Sequence, residues 1–166
     1  MGFLDFLKGK GAPAAPSAGC LGAFAKGTVV PMEQIPDAVF SQGIMGTCCG
    51  IAPADGRVYA PADGVVSQLT DTIHAAGITA GEMELLIHAG VDTVEMKGDG
   101  FAYAVSEGQT VKKGDLLLTM DLEKVRAAGY PDTIILAVTN SDDFAAVETV
   151  AGGPVNVGDD LMRVRK

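Results

Sequence analysis

The chain is expected to fold as an all-β protein: an antiparallel β-sandwich with barrel character, carrying one or two short helices. Three observations lead there. The 166 residues include 22 Gly and 8 Pro, punctuation that favours many short elements over long helices. Short apolar runs alternate with turn-forming clusters along most of the chain. Hydrophobic content is 48% with no Trp, so Val, Ile, Leu, Met and Ala must build the core.

Taken in order, residues 3–8 read as a tiny amphipathic helix, with Phe3, Leu4 and Leu7 on one face and Lys8 and Lys10 alongside. Isolated helices this short are marginal. A frayed terminus is therefore expected, with weak membrane-surface contact through residues 1–8 as the alternative. Residues 9–19, a Gly/Ala/Pro stretch, read as a flexible linker. Residues 20–166 are then expected to form a single folded domain. Strands are predicted over 28–30, 57–59, 64–66, 83–89, 116–120, 133–139 and 161–164. Turns are marked by Pro53-Ala-Asp-Gly56, Pro61-Ala-Asp-Gly64, Lys113-Gly-Asp115 and Gly158-Asp-Asp160. Short helices are predicted over 122–128 and 142–147, with the segment starting at Ser141 as N-cap of the second. Ala52-Pro-Ala-Asp-Gly56 recurs as Ala60-Pro-Ala-Asp-Gly64, a turn, strand, turn repeat read as structural.

Charge narrows the partners. A net charge of −9 and a pI near 4.5 make a poor nucleic-acid binder and suit a basic protein partner. Cys20, Cys48 and Cys49 form no disulfide framework, so a reducing, cytoplasmic setting is expected. Cys48 and Cys49 read as buried small residues, with a vicinal redox site as the alternative. Residues 1–8 are too short to span a bilayer, which takes about 20 apolar residues. They also lack the features of a secretory signal.

The two histidines, His74 and His88, are the candidate chemistry. Imidazole can accept and release a proton, a metal or a phosphoryl group near neutral pH. In the strand from Met83, odd positions form a continuous apolar face through Val91, while His88 lies on the other face with Glu84, Leu86, Gly90 and Asp92. Thr72 and His74 are two apart, so in an extended strand they share a face. If the two strands adjoin, the imidazoles meet beside a Thr hydroxyl. The carbonyl of Gly90 is a candidate acceptor for the Nδ1 proton of His88.

Several segments resemble one family. Ala60-Pro-Ala-Asp-Gly64-Val, Thr72-Ile-His74-Ala and the run from Leu86-Ile-His88-Ala-Gly-Val-Asp to Phe101 are similar to the glucose-type enzyme IIA of the bacterial phosphoenolpyruvate-dependent sugar phosphotransferase system. The likeness continues through Glu107-Gly-Gln-Thr-Val-Lys-Lys-Gly-Asp115, Asp121-Leu and Val138-Thr-Asn140, and the amphipathic terminus also resembles that of stand-alone members. It implies a phosphocarrier in which His88 carries the phosphoryl group on Nε2, His74 is the second active-site histidine and Thr72 supports it. It implies a partner-binding rim at Asp37, Phe40 and Asp92, with Gly90 beside them. The implied partners are the phosphocarrier HPr upstream and the IIB domain of a membrane sugar permease downstream. No cofactor and no metal is implied, and a monomer is the default expectation. The chain departs from the family pattern at Gly46-Thr-Cys-Cys-Gly50, at Ala89 and at Thr70, where an aromatic is common.

Three alternatives remain. Zinc held by His74 and His88 needs a third ligand, and neither HxH nor HExxH spacing is present. A biotinyl- or lipoyl-type carrier needs its lysine after the segment ending at Asp115, whereas Met96-Lys97 precedes it. A regulatory binding protein of the same fold would not accept phosphate at His88.

Overall fold

A computed structural model describes residues 17–166, so the expected helix over 3–8 and most of the expected linker lie outside the described residues. Fourteen strands run in chain order: β1 (Ser17–Gly22), β2 (Gly27–Val30), β3 (Thr47–Pro53), β4 (Arg57–Tyr59), β5 (Gly64–Leu69), β6 (Ala75–Ala80), β7 (Met83–Ala89), β8 (Phe101–Tyr103), β9 (Thr110–Val111), β10 (Leu116–Met120), β11 (Ile134–Val138), β12 (Ala146–Thr149), β13 (Pro154–Val155) and β14 (Asp160–Arg165). Two short helices accompany them, α1 (Ala38–Ser41) and α2 (Leu122–Ala127).

All strand pairs are antiparallel. An eight-stranded sheet has the order β13-β2-β3-β11-β7-β6-β5-β9, and two three-stranded sheets have the orders β1-β14-β12 and β4-β10-β8. The architecture is a β-sandwich, and among the described residues no sheet closes into a barrel. One core draws on all three sheets, with Leu21, Val58, Leu118, Ile87, Leu136 and Leu161 among its fully or nearly fully buried members. Each such side chain is worth about 1.5–3 kcal/mol of burial.

A second, smaller cluster of Ile35, Phe40, Cys48, Val91, Ile135 and Ala137 lies on the other face of the eight-stranded sheet. This explains β11, whose five residues are all buried. Leu136 faces the main core while Ile135 and Ala137 face the small cluster, so the strand reads as a continuous apolar run. Cys48 and Cys49 divide in the same way, Cys49 into the main core and Cys48 into the small cluster. Burial pushes the thiol of Cys48 up to about 12 and that of Cys49 up to about 11. Both behave as inert small hydrophobes.

The repeat is structural. At Gly56 a Cβ would come within 1.7 Å of the Met120 carbonyl, and at Gly64 within 2.5 Å of the Thr79 carbonyl. Both corners therefore require glycine for close backbone approach. Asp55 and Asp63 finish the corners by accepting from the backbone N–H groups of Arg57 (3.0 Å) and Lys113 (2.8 Å).

One expectation is corrected. The helix predicted over 142–147 is absent: residues Ser141–Asp143 make one 3₁₀ turn and the chain continues as β12. The Asn140 side chain, just ahead of this turn, accepts from the Glu84 N–H (2.9 Å) and donates to the Glu82 carbonyl (2.8 Å). The second helix is α1, capped by Asp37, whose carboxylate accepts from Val39 N–H at 2.8 Å. At the other end of the described residues, β1 runs through Cys20 and pairs with β14.

Candidate functional site

His88 owes its direction to strand alternation. Along β7 the odd residues Met83, Leu85, Ile87 and Ala89 are buried, and His88 lies between them, part-exposed on the opposite face. Its cross-strand neighbours are Ile135 on β11 and Ala75 on β6, and the same row reaches Gly50 on β3. Phe40 of α1 closes one side, its ring centroid 5.2 Å from that of His88.

Beyond Ala89 the chain turns. Gly90 has φ +83°, and a Cβ there would meet Thr93 Cγ2 at 2.4 Å. This turn brings the Gly90 carbonyl back to His88 Nδ1 at 2.7 Å. A carbonyl oxygen only accepts, so Nδ1 carries the proton and Nε2 keeps a free lone pair. The turn is held by Gly90 N–H to the Thr133 carbonyl (3.0 Å) and by the buried Thr93 hydroxyl to the Ala89 carbonyl (2.5 Å).

His74 is brought to His88 by sheet pairing. The β6–β7 register sets Ala75 opposite His88, and the Ala89 N–H donates to the His74 carbonyl at 2.7 Å. The two rings meet edge to face, with centroids 4.9 Å apart and planes at 78°. The expectation that Thr72 and His74 share the face of an extended strand is corrected. Residues 70–73 form a turn closed by Ile73 N–H to the Thr70 carbonyl (3.1 Å), and Ile73 has φ +58°. The two side chains meet all the same, because the turn folds Thr72 Oγ1 to within 2.6 Å of His74 Nδ1.

Burial holds the His88 imidazole below its ordinary value, against the Gly90 carbonyl and the Asp37 and Asp92 carboxylates, which act in the other direction. Burial pushes His74 down to about 4, with the neighbouring His88 adding to the effect. Both rings are therefore neutral at neutral pH. Asp37 is tied up as the cap of α1, whereas Asp92 is exposed in a left-handed conformation with φ +61°. Val39 and Val94, on the segments carrying Phe40 and Asp92, are exposed apolar residues, as are Ile44 and Met45 after α1. Among the described residues no three His, Cys, Asp or Glu side chains are grouped to hold a metal ion, and no helix is long and apolar enough to cross a membrane.

Sequence reasoning missed two members of the site. Thr70 Oγ1 lies 3.4 Å from His74 Nδ1, and the Tyr103 hydroxyl lies 3.1 Å from Thr70 Oγ1. Tyr103 is 33 positions from Thr70 and arrives on a different sheet, so no local pattern connects them.

Comparison with known proteins places this chain in a family. The sequence profile described as phosphoenolpyruvate-dependent sugar phosphotransferase system, EIIA 1, matches residues 20–144. The chain is 41% identical over 153 residues to the glucose-specific EIIA component of Halalkalibacterium halodurans, covering 92% of this chain and 88% of that protein. It is 43% identical over 139 residues to the beta-glucoside-specific EIIBCA component of Dickeya chrysanthemi, covering 83% of this chain but spanning only 22% of that protein's length. Among solved structures, glucose permease IIA from Mycoplasma capricolum superposes with a TM-score of 0.77 at 30% identity, covering 87% of this chain and 94% of the other. The chain belongs to the EIIA 1 family of the phosphoenolpyruvate-dependent sugar phosphotransferase system.

Proposed function

We propose that this chain is a phosphocarrier that accepts a phosphoryl group on His88 Nε2 from phosphorylated HPr and passes it to a sugar-specific IIB domain. The observation that carries the reading is the 2.7 Å contact from His88 Nδ1 to the Gly90 carbonyl, which leaves Nε2 as the nucleophilic nitrogen of a neutral ring. In the transfer, a P–N bond forms at His88 Nε2 as the P–N bond to the donor imidazole breaks. The electron pair of the broken bond stays on the donor nitrogen. Such a step needs positioning and charge stabilisation more than covalent assistance.

His74 supplies that stabilisation. With the Thr72 hydroxyl donating to its Nδ1, His74 holds its proton on Nε2 and donates to a phosphoryl oxygen on His88. The apolar surround of Phe40, Ile135 and Val91 limits water at the P–N bond. Asp37, Phe40, Gly90 and Asp92 form the rim that receives partners, and the net charge of −9 favours a basic donor protein. The IIB acceptor is supported by relatives named EIIBCA and EIICBA components, of which this chain spans about a fifth. The folded unit, which includes all of residues 20–166, acts as a monomer on the cytoplasmic side.

The test is incubation with phosphoenolpyruvate, enzyme I and HPr. An acid-labile, alkali-stable phosphoryl adduct is expected on the wild type and none on His88→Ala. An adduct on the His88→Ala variant refutes the assignment. A wild type that takes no phosphoryl group favours a regulatory binding protein of the same fold.

A further inference from the structure

The turn that carries His74 is an unfavourable piece of backbone. Ile73 sits at φ +58°, a region costly for a β-branched residue and tolerated only where the surroundings over-determine it. Part of that determination is local: Ile73 N–H donates to the Thr70 carbonyl (3.1 Å) and Thr70 N–H to the Ala75 carbonyl (3.2 Å). Another part comes from the other side of the sandwich. Tyr103, at the end of β8, reaches from the three-stranded β4-β10-β8 sheet to this turn. Its hydroxyl lies 2.7 Å from the Ala75 carbonyl, 2.9 Å from the Thr70 carbonyl and 3.1 Å from Thr70 Oγ1.

One phenol thus engages both ends of the segment that contains Thr72, Ile73 and His74. Its single proton serves the two carbonyls, so its oxygen can accept only from the Thr70 hydroxyl. That contact, at 3.1 Å, is shorter than the 3.4 Å from Thr70 Oγ1 to His74 Nδ1. It directs the Thr70 proton to the phenol and leaves Thr72, at 2.6 Å, as the nearer partner of His74 Nδ1, a contact that depends on the shape of the turn.

We infer that Tyr103 is a positioning residue for His74, acting through the 70–75 turn, where its hydroxyl ties the Thr70 and Ala75 carbonyls together and occupies the Thr70 hydroxyl. This inference rests on the phosphocarrier reading for its kinetic consequence, but not for its structural one.

The test uses Tyr103→Phe in the full chain, with two readouts. Ring-nitrogen NMR should show His74 as the Nε2–H tautomer in the wild type and as a mixture of tautomers in the variant. Phosphoryl transfer from phosphorylated HPr should slow about fivefold, the loss expected of one hydrogen bond, at unchanged KM for HPr. A fall in thermal stability with unaltered tautomer and unaltered rate would make Tyr103 a structural residue only and would overturn the inference. Thr70→Val, which leaves both carbonyls to the phenol but removes the hydroxyl that accepts from the Ala75 N–H (3.3 Å), should slow transfer less than Tyr103→Phe does. A larger loss there than in Tyr103→Phe would overturn it as well, by moving the role to the Thr70 hydroxyl. If the wild type accepts no phosphoryl group, the phosphocarrier reading falls and the tautomer measurement alone decides the role of Tyr103.

Discussion

The ring of His74 meets that of His88 edge to face at 4.9 Å, and each ring is oriented through its Nδ1 by a group two residues away in sequence. For His88 that group is the Gly90 carbonyl, and for His74 it is the Thr72 hydroxyl. The two partners have opposite consequences. A carbonyl forces the proton onto Nδ1 and frees Nε2, while a hydroxyl that donates to Nδ1 leaves the proton on Nε2. Under the proposed function, with the Thr72 hydroxyl donating, one ring is the nucleophile and the other the hydrogen-bond donor.

Thr72 is half-buried in a surface turn, so its side chain contributes little to packing. Thr72→Val keeps its shape and removes the 2.6 Å contact to His74. Phosphoryl exchange is expected to slow about tenfold with little change in melting temperature, the size expected of one good hydrogen bond. Thr72→Ser should retain near wild-type rates. Equal rates for Thr72→Val and wild type would remove Thr72 from the site.

Gly90 tolerates no side chain. A methyl group there falls 2.4 Å from Thr93 Cγ2 and 3.3 Å from the Pro131 carbonyl, on a backbone with φ +83°. Gly90→Ala should cost about 1–3 kcal/mol of stability in thermal or denaturant unfolding. It should also weaken phosphoryl acceptance, because the carbonyl that holds His88 Nδ1 belongs to the displaced residue. A variant with unchanged stability would show that the loop relaxes freely.

The depressed value of His74 makes a signed prediction about pH. Its folded-state value lies near 4 against an ordinary 6.5, so between those limits the unfolded chain binds a proton that the folded chain does not. Stability from this group is complete above about 6.5 and is lost as pH falls toward about 4. His74→Gln should therefore lose less melting temperature than wild type across that window. An NMR titration of the His74 ring should give a midpoint near 4, and a midpoint near 6.5 would contradict the burial of the neutral ring.

Much of the site was legible because it is local. The alternation of Met83, Leu85, Ile87 and Ala89 against His88 follows from the two-residue period of a strand and needs no partner. Where alternation was extended to residues 71–74 it failed in its premise. The segment is a turn with Ile73 in the left-handed region, a conformation that a β-branched residue adopts only under tertiary constraint. The helix expected over 142–147 failed for a related reason. Its strand pairing with β14 satisfies the same backbone groups, and no short-range signal weighs that pairing against a helical turn.

By itself, then, the sequence determined the all-β class, seven of the fourteen described strands, the face on which His88 stands and the resemblance that gave the two histidines their expected roles. These depend on period, turn chemistry and motif, all of which act over a few residues. Only the tertiary structure decided that β6 and β7 adjoin so that the imidazoles meet, that α1 lays Phe40 beside His88, and that Tyr103 crosses from another sheet to the turn of His74. Those contacts join residues that are far apart in the chain. Register and sheet packing set them by burying the whole apolar surface at once, and no local segment of sequence contains that information.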